Sequence, residues 1–396
     1  MKIFYLFLIA SLFTPNAYAK YFASLEQLSQ AKQQIGQIIH GKEAYDELVR
    51  LADKQILQSI PSIRDKDVTA KSRNKQDYIS IGRYWWPDST KKEGLPYIRK
   101  DGQPNPEMDK LDRLKLESLT DGVNCLAYAY YFTDDEKYAH KALEYLRLWF
   151  IDKNTRMNPN LNYAQVIRGH NHDMGRSEGI IDTYGFVNMI QSIKILSQSS
   201  AMSKEDYKAL TEWFSDFLDW LLTSKLGQQC RQAKNNHSIA YDVQVVAYAL
   251  FVNKKDIAKD FIARFPNERV AKQIKPDGSQ PFELARTLAL HYSIFNLNHI
   301  LDLCTLAKTL NIDLYHATSS CGTSIDKAIE YVAYYLGKSE KEFPFQQLKD
   351  WFFCQEKLCW LIKRSTFFQK KPRYDWLFNT YCKTKSTDIK WLLYAK

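Results

Sequence analysis

No CxxC pair occurs among the seven cysteines, which stand at positions 125, 230, 304, 321, 354, 359 and 382. Without that spacing, zinc-ribbon and thioredoxin-like chemistry has little to build on. The odd count leaves at least one thiol unpaired even in an oxidising compartment. Cys354 and Cys359, five apart on an expected helix, are awkwardly placed for a bridge, whereas Cys304 and Cys321 would close a plausible loop. Past the first nineteen residues no apolar run is long enough to span a bilayer, so stable membrane insertion is not expected. Alternating apolar stretches are scarce, with 78–81 the best short strand. No repeated sequence signature and no low-complexity linker appears, so residues 20–396 are expected to form one main domain.

What is present begins with a leader. Lys2 supplies a charged start, residues 3–13 an apolar run, and Ala17-Tyr18-Ala19 a small-x-small cleavage site before Lys20. A periplasmic or secreted protein is expected, most simply a monomer. The formal charge is +10, of which the leader holds only Lys2. Such a surplus attracts polyanions. Nucleic acid is one, but an exported protein rarely meets it, and an acidic polysaccharide suits the address better. Twenty-five tyrosines and nine tryptophans exceed what a core requires, and such rings also line sugar clefts.

Apolar residues recur at three- and four-residue spacing over 25–39, 45–60, 134–150, 177–196, 204–222, 238–252, 325–336, 345–362 and 374–380. Ser203 and Thr133 each precede acidic residues in the manner of a helix cap. Long helices every thirty to forty residues predict an all-α toroid or solenoid of helical hairpins. Two loop-rich stretches interrupt it, 82–106 and 152–176, and loops held by a rigid scaffold are where function concentrates.

Four groups suit the removal of a proton beside a carboxylate. Asn236 and His237 stand where the helix 238–252 should begin, and a helix N-terminus favours an anion. Asn236 can donate to a sugar carboxylate, and His237 titrates near working pH. Plain capping by Asn235 or Asn236, with His237 packed in the core, would use the same residues. Arg286 and Tyr292 are six apart, about 120° around a straight helix, so the helix is expected to start near Thr287 with Arg286 just outside it. Arg286 could then bind a carboxylate with two hydrogen bonds. The Tyr292 phenol, ordinarily near 10, would be lowered by nearby positive charge. An Arg286–Glu283 ion pair over a core tyrosine is the plain alternative. In the first loop Tyr84, Trp85 and Trp86 offer a ring platform for stacking on sugars. In the second, His170, Asn171, His172, Asp173 and Arg176 cluster. A metal on His170, His172 and Asp173 has no defining spacing, so Asn171, His172 and Arg176 are read as substrate contacts or cleft scaffolding.

Taken in order, Tyr84-Trp85-Trp86-Pro87, Gly94 to Tyr97, Asp101-Gly102, Asn105-Pro106, Gly175-Arg176, Gly179 to Asp182, Asn235-Asn236-His237, and Asp277 to Glu283 through Arg286 to Tyr292 resemble the alginate lyase superfamily of polysaccharide lyases. The match runs from about residue 80 to 300. It implies an (α/α) toroid, an incomplete α/α barrel, that cleaves a uronate polymer by β-elimination without an obligatory metal or cofactor. It further implies that Asn236 and Arg286 neutralise the substrate carboxylate while His237 and Tyr292 move protons. Relatives often carry an aromatic soon after the histidine, and here Tyr241 is taken for that role. The Trp-Trp-Pro loop and the Asp-Gly-Ser-Gln block are more similar to the branch common in polysaccharide-degrading Bacteroidetes. That branch also includes enzymes for glucuronate polymers, so a glucuronan lyase is a second expectation and a non-catalytic binder of acidic polysaccharide a third.

Overall fold

The computed structural model describes residues 22–394. The expected leader and its cleavage site lie outside them. Sixteen α-helices follow one another among the described residues, with short 3-10 and π segments between some of them. They are α1 (Leu25–Gln34), α2 (Gly41–Ile56), α3 (Arg113–Thr133), α4 (Glu136–Leu146), α5 (Phe186–Leu196), α6 (Lys204–Thr223), α7 (Lys225–Arg231) and α8 (Asn236–Phe251). Then come α9 (Lys255–Phe265), α10 (Ala271–Gln273), α11 (Pro281–Leu284), α12 (Ala289–Lys308), α13 (Ile325–Ala333), α14 (Trp351–Ser365), α15 (Pro372–Tyr381) and α16 (Lys390–Tyr394). None among the described residues is long and apolar enough to cross a membrane.

The packing order is that of an (α/α) toroid. Helices α3, α5, α8, α12 and α14 each touch the next and form an inner layer, with α4, α6, α9 and α13 packed outside them. The last helix, α16, lies against both α1 and α2, which packs on α3. Tyr394 donates its hydroxyl to the Phe22 carbonyl (3.3 Å), so the ring of helices is closed by its own two ends. The core is one large apolar cluster, in which nearly every residue of α8 is buried, with a small separate cluster of Ala70, Ile79, Ile81, Met108 and Leu111.

Strands are few among the described residues, and all serve the loops. β1 (Ile79–Ile81) pairs in parallel with β4 (Tyr163–Val166), and β2 (Trp85–Trp86) pairs antiparallel with β3 (Ile98–Arg99). The half-buried Asp182 carboxylate ties the first pair together, accepting from Ser80 Oγ (2.6 Å), Gln165 Nε2 (2.8 Å) and the Tyr78 hydroxyl (3.1 Å). Both loop-rich stretches are thereby anchored to the helical body.

Several expectations need correction. The stretch 177–196 is not one helix: a 3-10 turn (Ser177–Thr183) precedes α5. Gly179 presses its backbone on Ala164 so closely that an added Cβ would stand 2.5 Å from that side chain, which fixes the turn against β4. Residues 345–349 are extended alongside 287–289, with Leu288 bridged to Gln347, and the helix begins only at Trp351. Thr133 ends α3 and bonds back to Ala129 O, while Asp135 caps α4. Ser203 caps α6 as expected. The disulfide joins Cys359 to Cys382, and Cys304 and Cys321 are free. Cys304 is sunk in the core on α12 while Cys321 is exposed, so no loop closes between them.

Candidate active site

Asn235 caps α8, accepting from the His237 backbone N–H. Its Oδ1 also faces His237 Nδ1 at 3.0 Å. An amide oxygen only accepts, so Nδ1 carries the ring proton and Nε2 keeps its lone pair. Burial lowers the imidazole to about 4, and the charges of Arg176, Arg286 and Arg99 push the same way against Glu178. His237 is therefore neutral at neutral pH, with a base-ready nitrogen. Capping and the imidazole are separate duties here, held by Asn235 and His237 respectively.

Asn236, the first residue of α8, is 1% exposed. Its backbone N–H and its Nδ2 donate to the two oxygens of Glu283, at 2.7 and 2.8 Å. Burial pushes Glu283 up to about 7, against those two bonds and the charge of Arg286. Glu283 therefore holds Asn236 and is not the hydrogen-bonded ion-pair partner of Arg286.

Arg286 lies in the turn between α11 and α12, outside the helix as expected, although α12 begins at Ala289. Its Nε and Nη2 are both taken by Asp101 (3.1 and 2.8 Å), which corrects the expectation that this edge stands open for substrate. Asp101 also accepts from Arg99 Nη2 (2.9 Å) and Thr287 Oγ1 (3.0 Å). Burial would raise the Asp101 carboxyl, but these bonds hold it well below the usual carboxylate range. The pairing depends on close approach. Gly102 has φ +76° and sits where a Cβ would come within 2.7 Å of Thr287 Oγ1.

The Arg286 guanidinium lies 3.8 Å from the centre of the Tyr292 ring. The Tyr292 hydroxyl meets the Tyr84 hydroxyl at 2.6 Å. Burial and Tyr84 outweigh the nearby cation, so the phenol is raised and not lowered as the sequence suggested. Tyr292 is protonated at rest.

The two loops meet over this ground. Trp85 touches the His170 ring edge-on (5.4 Å) and lies beneath the Arg176 guanidinium (6.0 Å). Trp86 is half-buried, its indole donating to Gln103 O. Asn171 and His172 sit on an exposed left-handed turn (φ 46° and 53°), and it is their neighbour His170 that reaches Trp85. Tyr241 leaves the candidate set: it is fully buried, donates to Leu221 O and packs beside Phe261. It stands one helical turn after His237, yet its ring points to the core because α8 is buried all round. No group of three or more His, Cys, Asp or Glu among the described residues is placed to hold a metal.

The alginate lyase family model matches residues 62–343. The chain belongs to the alginate lyase family. An alginate lyase from Bacteroides ovatus is 45% identical over 94% of this chain and 98% of its own, with a TM-score of 0.92. Alginate lyase A1-III from Sphingomonas species A1 is 14% identical over 92% of this chain and 99% of its own, and its TM-score of 0.57 marks a shared fold. A variant of A1-III complexed with a tetrasaccharide aligns at 13% identity over 88% and 94%, with a TM-score of 0.58. No curated protein matches the chain. It is a polysaccharide lyase, and the sequence left Asp101 and Glu178 unread beside its candidate site and offered Glu283 only as a partner for Arg286.

Proposed function

We propose that this lyase is exported as a monomer and cleaves alginate by β-elimination, with polymannuronate as first choice. The observation that carries the reading is the stacking of Arg286 on Tyr292, with the same guanidinium charge acting on His237. The kinship with the Bacteroides ovatus alginate lyase supports the substrate.

The substrate carboxylate is neutralised by the charge of Arg286, through its remaining Nη1, and by the amide of Asn236. Neutralisation acidifies C5–H, and preorganised donors do this without rearranging solvent. The C5–H pair becomes the C4–C5 double bond, and O4 departs with its bonding electrons and gains a proton. Where C5–H and O4 leave from opposite faces, neutral His237 takes the C5 proton and Tyr292 protonates O4. Where they leave from one face, as in mannuronate, Tyr292 passes its own proton to His237, takes the C5 proton as phenolate and hands it to O4. In either case the proton left on His237 returns to Tyr292, which restores both groups. Tyr84, Trp85, Trp86 and Arg176 line the approach, with Asn171 and His172 at its rim.

The test is ultraviolet absorbance of the unsaturated product on mannuronate-, guluronate- and glucuronate-rich polymers in parallel. Mannuronate-rich alginate is expected to give the fastest rise. A polymer retarded in an affinity gel without absorbance would instead mark a binding protein. Tyr292→Phe is expected to abolish turnover while retaining binding, and His237→Ala and Arg286→Ala to cost roughly 10²–10³ in rate each. Activity within a few-fold of wild type would remove the residue concerned from the mechanism.

A further inference from the structure

Glu283 takes no part in these proton transfers, yet it holds Asn236 by both backbone and side chain. The arrangement is at odds with an amide that must meet a carboxylate. One Nδ2 hydrogen is turned inward to Glu283, and the Asn236 Oδ1 is buried with no hydrogen-bond partner. An ionised Glu283 also sets a second negative charge behind the place where the uronate's own is to sit. Half a turn about the amide's last torsion exchanges Oδ1 and Nδ2 at almost no cost in volume. Ionised Glu283 forbids that turn, because two acceptors would face one another. A neutral Glu283 favours it: its O–H donates to Oδ1, its other oxygen keeps the backbone N–H, and both amide hydrogens face outward.

We propose that Glu283 takes up a proton from solvent when a uronate binds, and that the neutral carboxyl group turns the Asn236 amide so that its N–H groups meet the substrate carboxylate. The proton returns to solvent when product leaves. The inference rests on the reading of Asn236 as a carboxylate ligand. Burial already holds Glu283 near 7, and a second carboxylate close by pushes in the same direction. The groups that favour its charged form are Asn236 from α8 and Arg286 from the adjoining turn. Glu283 is thus a positioning residue.

Glu283→Gln imitates the neutral group and cannot ionise. On mannuronate-rich alginate, wild-type KM is expected to rise by up to tenfold per pH unit above about 7, because binding must then draw in a proton. E283Q is expected to keep kcat within about threefold at pH 6.5 and to show a flat KM from 6.5 to 9. A measurement independent of that variant is calorimetric binding of a mannuronate oligomer to Tyr292→Phe at pH 8, in two buffers of different ionisation enthalpy. Uptake close to one proton is expected, and none in the Y292F/E283Q double variant. Binding without proton uptake overturns the proposal, as does a folded E283Q that loses turnover a hundredfold. A wild-type protein that eliminates no polyuronate at all brings down the lyase chemistry on which the proposal stands, whereas turnover without proton uptake removes the Glu283 proposal alone.

Discussion

At the scale of single residues, the acid–base character of the site departs from free side chains in two directions. His237 is depressed to about 4, so it stays unprotonated through pH 6.5, where a free imidazole is half charged. The acid limb of kcat/KM is therefore expected near pH 4, and a limb at 6.5 in the wild-type profile would show that the imidazole is not buried as described. Asn236, His237, Arg286 and Tyr292 could be singled out as candidates in the sequence because each belongs to a short local pattern. Their partners were not. Asp101 reaches Arg286 across 185 residues, Tyr84 reaches Tyr292 across 208, and Glu283 reaches Asn236 across 47. No spacing rule spans such distances. Tyr241 misled for the opposite reason: nearness in sequence to His237 says nothing of face, and on a helix buried on every side the ring turned to the core.

At the scale of elements, the amphipathic outer helices such as α4 and α6 carry a clear stripe, while α3 and α12 are buried around most of their circumference and blur the period that betrays a helix. That is why 113–133 did not stand out in sequence. The stretch 345–349 misled differently, since its apolar residues serve an extended segment that supports α12. Gln347 Oε1 accepts from the backbone N–H groups of Leu290 (3.1 Å) and His291 (3.3 Å), in the first turn of the helix that carries Tyr292. Gln347→Ala leaves those donors without it and is expected to cost about 1–2 kcal/mol, read as a shift in the urea midpoint. A loss of kcat larger than the loss of folded protein is expected alongside, because Tyr292 shares that turn. An unchanged midpoint and rate would remove Gln347 from this supporting role.

At the scale of the whole molecule, helix number and spacing left a toroid and a solenoid open, the family resemblance implied the toroid, and its closure was not legible, because it depends on contacts between the first and last helices. The Cys359–Cys382 bridge secures the final turn of that circuit by tying α14 to the end of α15, a separation of 23 residues. Loop-closure entropy for that length corresponds to about 3 kcal/mol, so reduction is expected to lower unfolding free energy by about that amount, measured by urea titration with and without reductant. The contact of Tyr394 with Phe22 has a consequence of its own. Helices arranged in a circuit whose ends adjoin have a cyclic order, and packing does not single out a starting point. A permuted chain, joined across that contact and reopened in an outer turn such as the one between α6 and α7, would keep every inner-layer neighbour and with them the placement of Tyr292 against Arg286.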